Sequence, residues 1–382
     1  MKINLNFITL ISILFMSCRT QTNKIEIDET RSNLAADKSD EKKLSEIVNS
    51  EIKQKTIIDD TLKYNINEKY LKVNKYQKRF KDEKVTAIVF HYTALPFKKS
   101  LKHLTEGGHG AHWFIPAHSK TIYSLADENK RVPHSGESEW KSRQNINVIS
   151  IGVEIENLGF KCKIRKVNCP QENMQWIPYS ETQQKLIISL SKDILNRHKI
   201  DPLCIVGHSD IALDRKFDPG PLFPWKRLYE NGIGGWVTES EIQTEIANIN
   251  KYIQGNVSRI VVQSRLYELG YNIEHARNKN KNPKNNSNLS VEKRLLMRGY
   301  NLRETEFSDL SALNKLNKFG NNYIKNFIFD ENKTNSAIDA FTMHYVPQAY
   351  LHNEILENKK ILAVIQALLV KYPNRAKKGC SY

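Results

Sequence analysis

Val85-Thr86-Ala87-Ile88-Val89-Phe90-His91-Tyr92-Thr93-Ala94 opens the part of the chain whose pattern decides the fold. Its first six residues are mostly apolar and β-branched, the signature of a short buried strand, and His91 stands directly after them. Further on, Ala111 to Pro116 and Thr121 to Leu125 read as a hairpin around a Ser119-Lys120 turn. Val148 to Ile155 is another strand, and Cys204 to Gly207 a last short one. Between these two, Ser180 is an N-cap candidate with Gln183 three residues on, a capping-box pattern. Leu186, Ile187, Leu190, Ile194 and Leu195 follow at helical spacing, which predicts an amphipathic helix from Ser180 to His198. Strands interspersed with helices predict an α/β domain that starts near Lys84 and ends near Trp236.

At 382 residues the chain has room for a second unit. Beyond Trp236, Ile260 to Leu269 and Lys360 to Tyr372 look helical, and an Asn/Lys-rich stretch from Asn278 to Asn288 reads as a loop insertion. Arg265-Leu-Tyr-Glu-Leu-Gly-Tyr-Asn-Ile is faintly echoed by Arg294-Leu-Leu-Met-Arg-Gly-Tyr-Asn-Leu, which reads either as a duplicated helix–turn unit or as coincidence. On the other side, Thr20 to Arg79 is polar, charged and weakly periodic, with a helical piece at Glu41 to Lys53. It reads as a tether whose span, if flexible, would average about 40 Å.

Lys2 followed by the apolar run Ile3 to Met16 is a short basic-then-apolar opening. It falls short of the ~20 residues that cross a bilayer and reads as a signal peptide, residues 1–17. The run ends in Phe15-Met16-Ser17-Cys18, which resembles a bacterial lipoprotein cleavage box with Cys18 as the acylated residue; an ordinary signal peptide with a chance cysteine is the other reading. Of the remaining cysteines, Cys162 and Cys169 lie close together in a polar loop and can pair in an oxidising compartment. Cys204, in an apolar strand, is expected to be a small buried thiol, and Cys380 carries no signal. The net charge of +16 suits attraction to an anionic polymer or membrane surface, or reflects a Lys- and Asn-rich composition alone. No zinc finger, RRM signature or other nucleic-acid reader occurs, so nucleic acid is not expected as a partner.

The polar residues gather at strand ends: His91-Tyr92-Thr93-Ala94, then Gly152-Val153-Glu154-Ile155-Glu156-Asn157, then Gly207-His208-Ser209-Asp210 leading through Arg215-Lys216-Phe217 to Asp218-Pro219-Gly220-Pro221. A catalytic zinc takes three protein ligands and leaves a position for water. Hydrolysis then needs a carboxylate to move protons and a cation or donor facing the developing oxyanion. His91, His208 and Asp218 can supply the ligands, Glu154 the proton carrier and Lys216 the cation. Glu156, two residues on, shares a strand face with Glu154 and is the alternative base. With eleven histidines and 42 carboxylates in the chain, composition does not single these residues out.

The ordered motifs HYTA, IGVEIEN, GHSDIALDRK, DPGPLFPW and GIGGW, from about Val85 to Trp236, do. They resemble the zinc-dependent N-acetylmuramoyl-L-alanine amidases, the type 2 amidases of the peptidoglycan-recognition fold, particularly their membrane-anchored lipoprotein branch. That resemblance implies a mixed central β-sheet flanked by helices, with a smaller C-terminal α-helical domain. It implies one zinc per chain on His91, His208 and Asp218, with Glu154 as acid/base and Lys216 assisting. The implied reaction is hydrolysis of the amide between N-acetylmuramic acid and L-alanine of peptidoglycan, in cell-wall turnover or recycling. His134, in Pro133-His134-Ser135-Gly136, resembles the family's turn beside the substrate groove; it either touches substrate or packs the turn. Arg215 either touches substrate or neutralises Asp210 or Asp214. His112 is expected to be structural, as is His344 beside Tyr345, while His103, His109, His118 and His198 read as surface or loop residues.

The division expected is 1–17 signal peptide, 18–80 lipidated cysteine and tether, 81–240 catalytic domain, and 241–382 helical peptidoglycan-binding-like domain with an Asn/Lys-rich insertion. The partners expected are peptidoglycan or muropeptides and a membrane, probed by a monomer at the periplasmic side of the outer membrane. Two other readings are a peptidoglycan-recognition lipoprotein that binds without cutting, and a zinc peptidase cutting within the stem peptide. Loss of ligands would favour the first, and all are present; the DPGP motif after GHSD argues against the second.

Overall fold

The computed structural model describes residues 61–71, 76–79, 83–164, 169–274, 329–373 and 380. The signal peptide, Cys18, the Glu41–Lys53 piece, the Asn278–Asn288 stretch and the second repeat copy at Arg294 lie outside these residues. Six strands build the main sheet: β1 (Asn65–Asn67), β2 (Ala87–Tyr92), β3 (Trp113–Ile115), β4 (Thr121–Ser124), β5 (Ser150–Ile155) and β6 (Ile205–Gly207). Their order across the sheet is β1-β4-β3-β5-β2-β6. Only the β3/β4 hairpin is antiparallel; the other neighbours run parallel. The sheet is therefore mixed, as expected. Parallel neighbours need crossovers, and helices α1 (Phe97–Glu106) and α2 (Glu181–Arg197) lie in two of them.

Register fixes which side chains share a face. His91 pairs with Glu154, and Glu154 with Phe114, so these three point one way. Phe90, Val153 and Trp113 pair likewise and point the other way. Phe114 packs with Leu101 and Leu104 of α1. Trp113 belongs to the larger core, which includes Leu186, Ile187, Leu190 and Ile194 of α2. Each such side chain contributes roughly 1.5–3 kcal/mol when taken out of water. The start of α2 follows the sequence: Ser180 Oγ accepts from the Gln183 N–H at 3.2 Å, and Gln183 Oε1 accepts from the Ser180 N–H at 3.1 Å. The first strand runs two residues later than its apolar run, because pairing with β5 continues through Tyr92. His91 thus sits inside the strand, paired with Glu154 of β5.

Part of the segment read as tether is folded onto this domain. Asn65–Asn67 pairs in parallel with Thr121–Tyr123 along the sheet edge, and the Leu62 N–H donates to Ser189 Oγ at 2.7 Å. Arg79 donates to the carbonyls of Val148 and Ser150 at 2.6 and 2.7 Å. A polar three-residue strand held by backbone pairing has no hydrophobic period to betray it, which is why the sequence reads as a tether there.

After β6 come two short helices, α3 (His208–Ile211) and α4 (Trp225–Glu230), and after Trp236 α5 (Glu239–Asn250), α6 (Arg259–Leu269), α7 (Glu331–Tyr345), α8 (Pro347–Leu351) and α9 (Asn358–Lys371). Their buried residues, among them Val262, Phe341, Leu362 and Ile365, belong to the same apolar cluster as Ile88 and Leu186. The helical region is present as expected, and its core is continuous with that of the sheet. Cys162 and Cys169 form a disulfide. Cys204 does too, with Cys380. The expectation of a free buried thiol at Cys204 is corrected: its partner is 176 residues away in sequence.

Candidate active site

The C-terminal end of β2, the loop after β6 and the Phe217-Asp218-Pro219 turn converge on one face of the sheet. His91 Nδ1, His208 Nδ1 and Asp218 Oδ2 stand 3.0 Å apart in all three pairs. All three residues are buried. The Ser209 N–H donates to Asp218 O at 2.8 Å, binding the loops of His208 and Asp218 together.

The surrounding hydrogen bonds fix where the lone pairs point. His208 Nε2 lies 3.0 Å from Ser135 O; a carbonyl only accepts, so this nitrogen carries the proton and Nδ1 is bare. Ser150 Oγ–H donates to Ile146 O at 2.7 Å, so Ser150 Oγ accepts from His134 Nε2 at 3.0 Å. His134 Nδ1 is then an acceptor for His91 Nε2–H at 3.1 Å, which leaves His91 Nδ1 bare as well. Burial, reinforced by the neighbouring His208, lowers His91 to about 4, and burial plus His91 and His112 holds His134 well below the usual imidazole range. Burial pushes Asp218 up, but His208 and His91 outweigh it and keep the carboxylate ionised. Two bare imidazole nitrogens and a carboxylate oxygen facing one point form a cation site. Zinc bonds of about 2.0–2.1 Å in a tetrahedron separate ligand atoms by about 3.3–3.4 Å, so this triangle is close to the size zinc needs.

Glu154, opposite His91 in register, lines the same cleft, and its Oε2 is buried with no hydrogen-bond partner among the described residues. Burial first, then the Asp218 charge, raises it to about 8, against the opposing effect of Lys216. Glu156 has no such freedom: its Oε1 accepts from the Phe97 N–H and its Oε2 from the Ala117 N–H, both at 2.8 Å. It holds loops in place, and Glu154 is the carboxylate left for chemistry. Lys216 and Arg215 are exposed at the cleft rim. The Arg215 guanidinium donates to the carbonyls of Ser135 and Glu137, so it braces the Pro133–Gly136 turn and does not neutralise Asp210 or Asp214.

His134 lines the cleft, yet both its ring nitrogens are engaged, with His91 and Ser150. Its place is behind His91, fixing the tautomer of that ring, a support metal-bound histidines commonly have. Gly152 makes room for it: a Cβ there would lie 2.5 Å from His134 Cγ. His112 is structural as expected, accepting from the Gly152 N–H at 3.0 Å, with burial and then Arg79 lowering it to about 3. His103 and His109, read as ordinary surface residues, line the cleft. Nothing in their sequence neighbourhood signals this; α1 brings His103 there.

A mixed sheet with a buried two-histidine, one-aspartate triad and a free carboxylate beside it is the arrangement of a metal-dependent hydrolase. Residues 81–221 match the family model described as N-acetylmuramoyl-L-alanine amidase. Across 202 residues, half of this chain and 68% of the relative, the sequence is 34% identical to the N-acetylmuramoyl-L-alanine amidase AmiD of Escherichia coli. It is 32% identical over 101 residues to the 1,6-anhydro-N-acetylmuramyl-L-alanine amidase AmpD of Enterobacter cloacae, spanning 46% of that protein. Among solved structures, AmpDH3 from Pseudomonas aeruginosa superposes with a TM-score of 0.55 at 29% identity, covering 82% of this chain and 99% of that one. The E. coli AmiD complex with anhydro-N-acetylmuramic acid-L-Ala-D-gamma-Glu-L-Lys gives 0.53 at 26% identity, covering 75% and 90%. The chain belongs to the N-acetylmuramoyl-L-alanine amidase family.

Proposed function

We propose that this protein is a zinc-dependent amidase that hydrolyses the amide between N-acetylmuramic acid and L-alanine of peptidoglycan, in cell-wall turnover or recycling. The observation that carries the reading is the convergence of His91 Nδ1, His208 Nδ1 and Asp218 Oδ2 beside a buried, unpartnered Glu154 oxygen. One zinc per chain on those three atoms would lower the pKa of water to around 7 and polarise the scissile carbonyl. Glu154 takes a proton from the attacking water and delivers it to the amide nitrogen as the C–N bond breaks. Its raised affinity for protons suits a group that must both accept and release one near neutral pH. Lys216, at the rim, faces the negative charge that develops on the carbonyl oxygen. His134 keeps His91 oriented, and Arg215 keeps the turn that carries His134 in place.

The test is mass analysis of muropeptide digests. Free stem peptide and peptide-free muramic acid are expected; peptides released with muramic acid still attached would overturn the amidase reading. We propose further that the chain is a monomer, lipid-anchored through Cys18 to the outer membrane and facing the periplasm. The short apolar opening and the Ser17-Cys18 pair support this, as does the disulfide at Cys162–Cys169, which suits an oxidising compartment. Membrane fractionation decides it: Cys18→Ser should move the protein to the soluble fraction, and an unchanged distribution would refute the anchor.

A further inference from the structure

The helical region grips the loop between the two metal-ligating turns. Asp210 stands two residues after His208 and is fully buried. Its Oδ2 accepts from the Gly207 N–H at 2.8 Å, tying the carboxylate to the backbone just before His208. The other two donors come from beyond the catalytic motifs. Tyr271, two residues past the end of α6, donates its hydroxyl to Asp210 Oδ1 at 2.7 Å. His344, in the last turn of α7, donates Nδ1–H to Asp210 Oδ2 at 2.8 Å. His344 is stacked between Trp225 and Tyr345, with ring centroids 3.7 and 3.9 Å away. Its Nε2 has no partner among the described residues, so the bond to Asp210 is the ring's polar contribution. Two turns earlier on the same helix, Ser336 donates to Asp214. Residues eight apart lie on one helix face, so α7 holds both ends of the 210–214 segment, from which the chain runs on through Lys216 to Asp218.

We infer that Tyr271, His344 and Ser336 are positioning residues for the metal site, and that the C-terminal helices are a working part of the catalytic unit. They hold the segment that links His208 to Asp218, and so set the distance between two of the three ligands. The inference rests on the metal reading of the triad given above. Partners behind a ligand commonly change metal affinity by about 10–100-fold when removed.

The test uses the full chain, with His344→Phe to keep an aromatic ring in the stack without the donor, Tyr271→Phe to remove a single hydroxyl, and His344→Asn to restore an N–H at the place of Nδ1. Zinc affinity is measured by chelator competition, and the visible spectrum of the cobalt-substituted protein reports ligand geometry. Wild type should bind one zinc. His344→Phe and Tyr271→Phe should bind about tenfold or more weakly with an altered cobalt spectrum while remaining folded by near-ultraviolet circular dichroism, and His344→Asn should recover most of the affinity. If His344→Phe does not fold, Tyr271→Phe alone decides. Folded variants with wild-type affinity and cobalt spectrum would overturn the positioning role, whereas a wild type that binds no zinc would overturn the metal reading itself.

Discussion

Replacing Glu154 by Gln keeps the shape of the side chain and removes its charge, so activity and stability should move in opposite directions. As general base, a positioned carboxylate is worth about 10²–10⁴ in rate, or roughly 3–5 kcal/mol of barrier. The stability change follows from its burial, which raises the carboxyl from the ordinary 4.5 to about 8 in the metal-free protein. A folded pKa above the unfolded one means ionisation costs nothing below pH 4.5. The cost grows as pH rises and levels off above 8. At 1.36 kcal/mol per pKa unit, discounted because the cleft is open to water, this is roughly 2–4 kcal/mol at pH 8. The metal-free Gln variant should therefore melt about 3–6 °C higher than metal-free wild type at pH 8, with the difference vanishing near pH 4.5. A bound dication lowers the carboxyl pKa, so the loaded enzyme should lose activity only as pH falls through a value below 8. Muropeptide turnover, metal analysis and calorimetry on the same preparations check all of this. Activity above one tenth of wild type would show that Glu154 is not the base, and a melting difference independent of pH would show that its ionisation carries no cost in the fold.

Stripping the metal with a chelator should abolish activity, which one equivalent of zinc restores. Free zinc at 1,000 times its Kd should stabilise the fold by about 4 kcal/mol, and full turnover in metal-free protein would refute the role of the triad. Cys380→Ser opens the covalent link to Cys204, which closes a loop of 176 residues; a loss of about 2–5 kcal/mol is expected in denaturant titration, and no change would show that the bond does not form. Gly152→Ala drives a Cβ against the His134 ring. It should cost about 1–3 kcal/mol and weaken zinc binding through His91, while unchanged affinity would separate His134 from the metal site.

How much of this was legible in the sequence depends on how local the cause is. The Ser180–Gln183 capping box and the spacing of Leu186, Leu190 and Ile194 act within a few residues, and α2 forms where they place it. The convergence of His91, His208 and Asp218 was readable only because they sit inside motifs of known order; nothing in residue spacing brings Asp218 within 3.0 Å of His91. The choice between Glu154 and Glu156 needed the loops of Phe97 and Ala117, which occupy both Glu156 oxygens. Cys204 looked like a thiol in a strand because its partner lies at the far end of the chain.

The longest-range features are also those that change what the C-terminal region is. Read as sequence, residues 241–382 resemble an appended wall-binding module, and an appendage should bury its own core and leave the catalytic loops to themselves. Instead Phe341, Leu362 and Ile365 share an apolar cluster with Ile88 of the central sheet. Two of its residues, Tyr271 and His344, satisfy a buried carboxylate two positions from a metal ligand. Removing the partners of a buried carboxylate leaves a charge without compensation, a change that destabilises strongly. Cutting the chain near residue 240 would therefore strip Asp210 of two donors and expose the apolar face of the catalytic domain. Whatever the helices do toward peptidoglycan, the active site depends on them for its own construction.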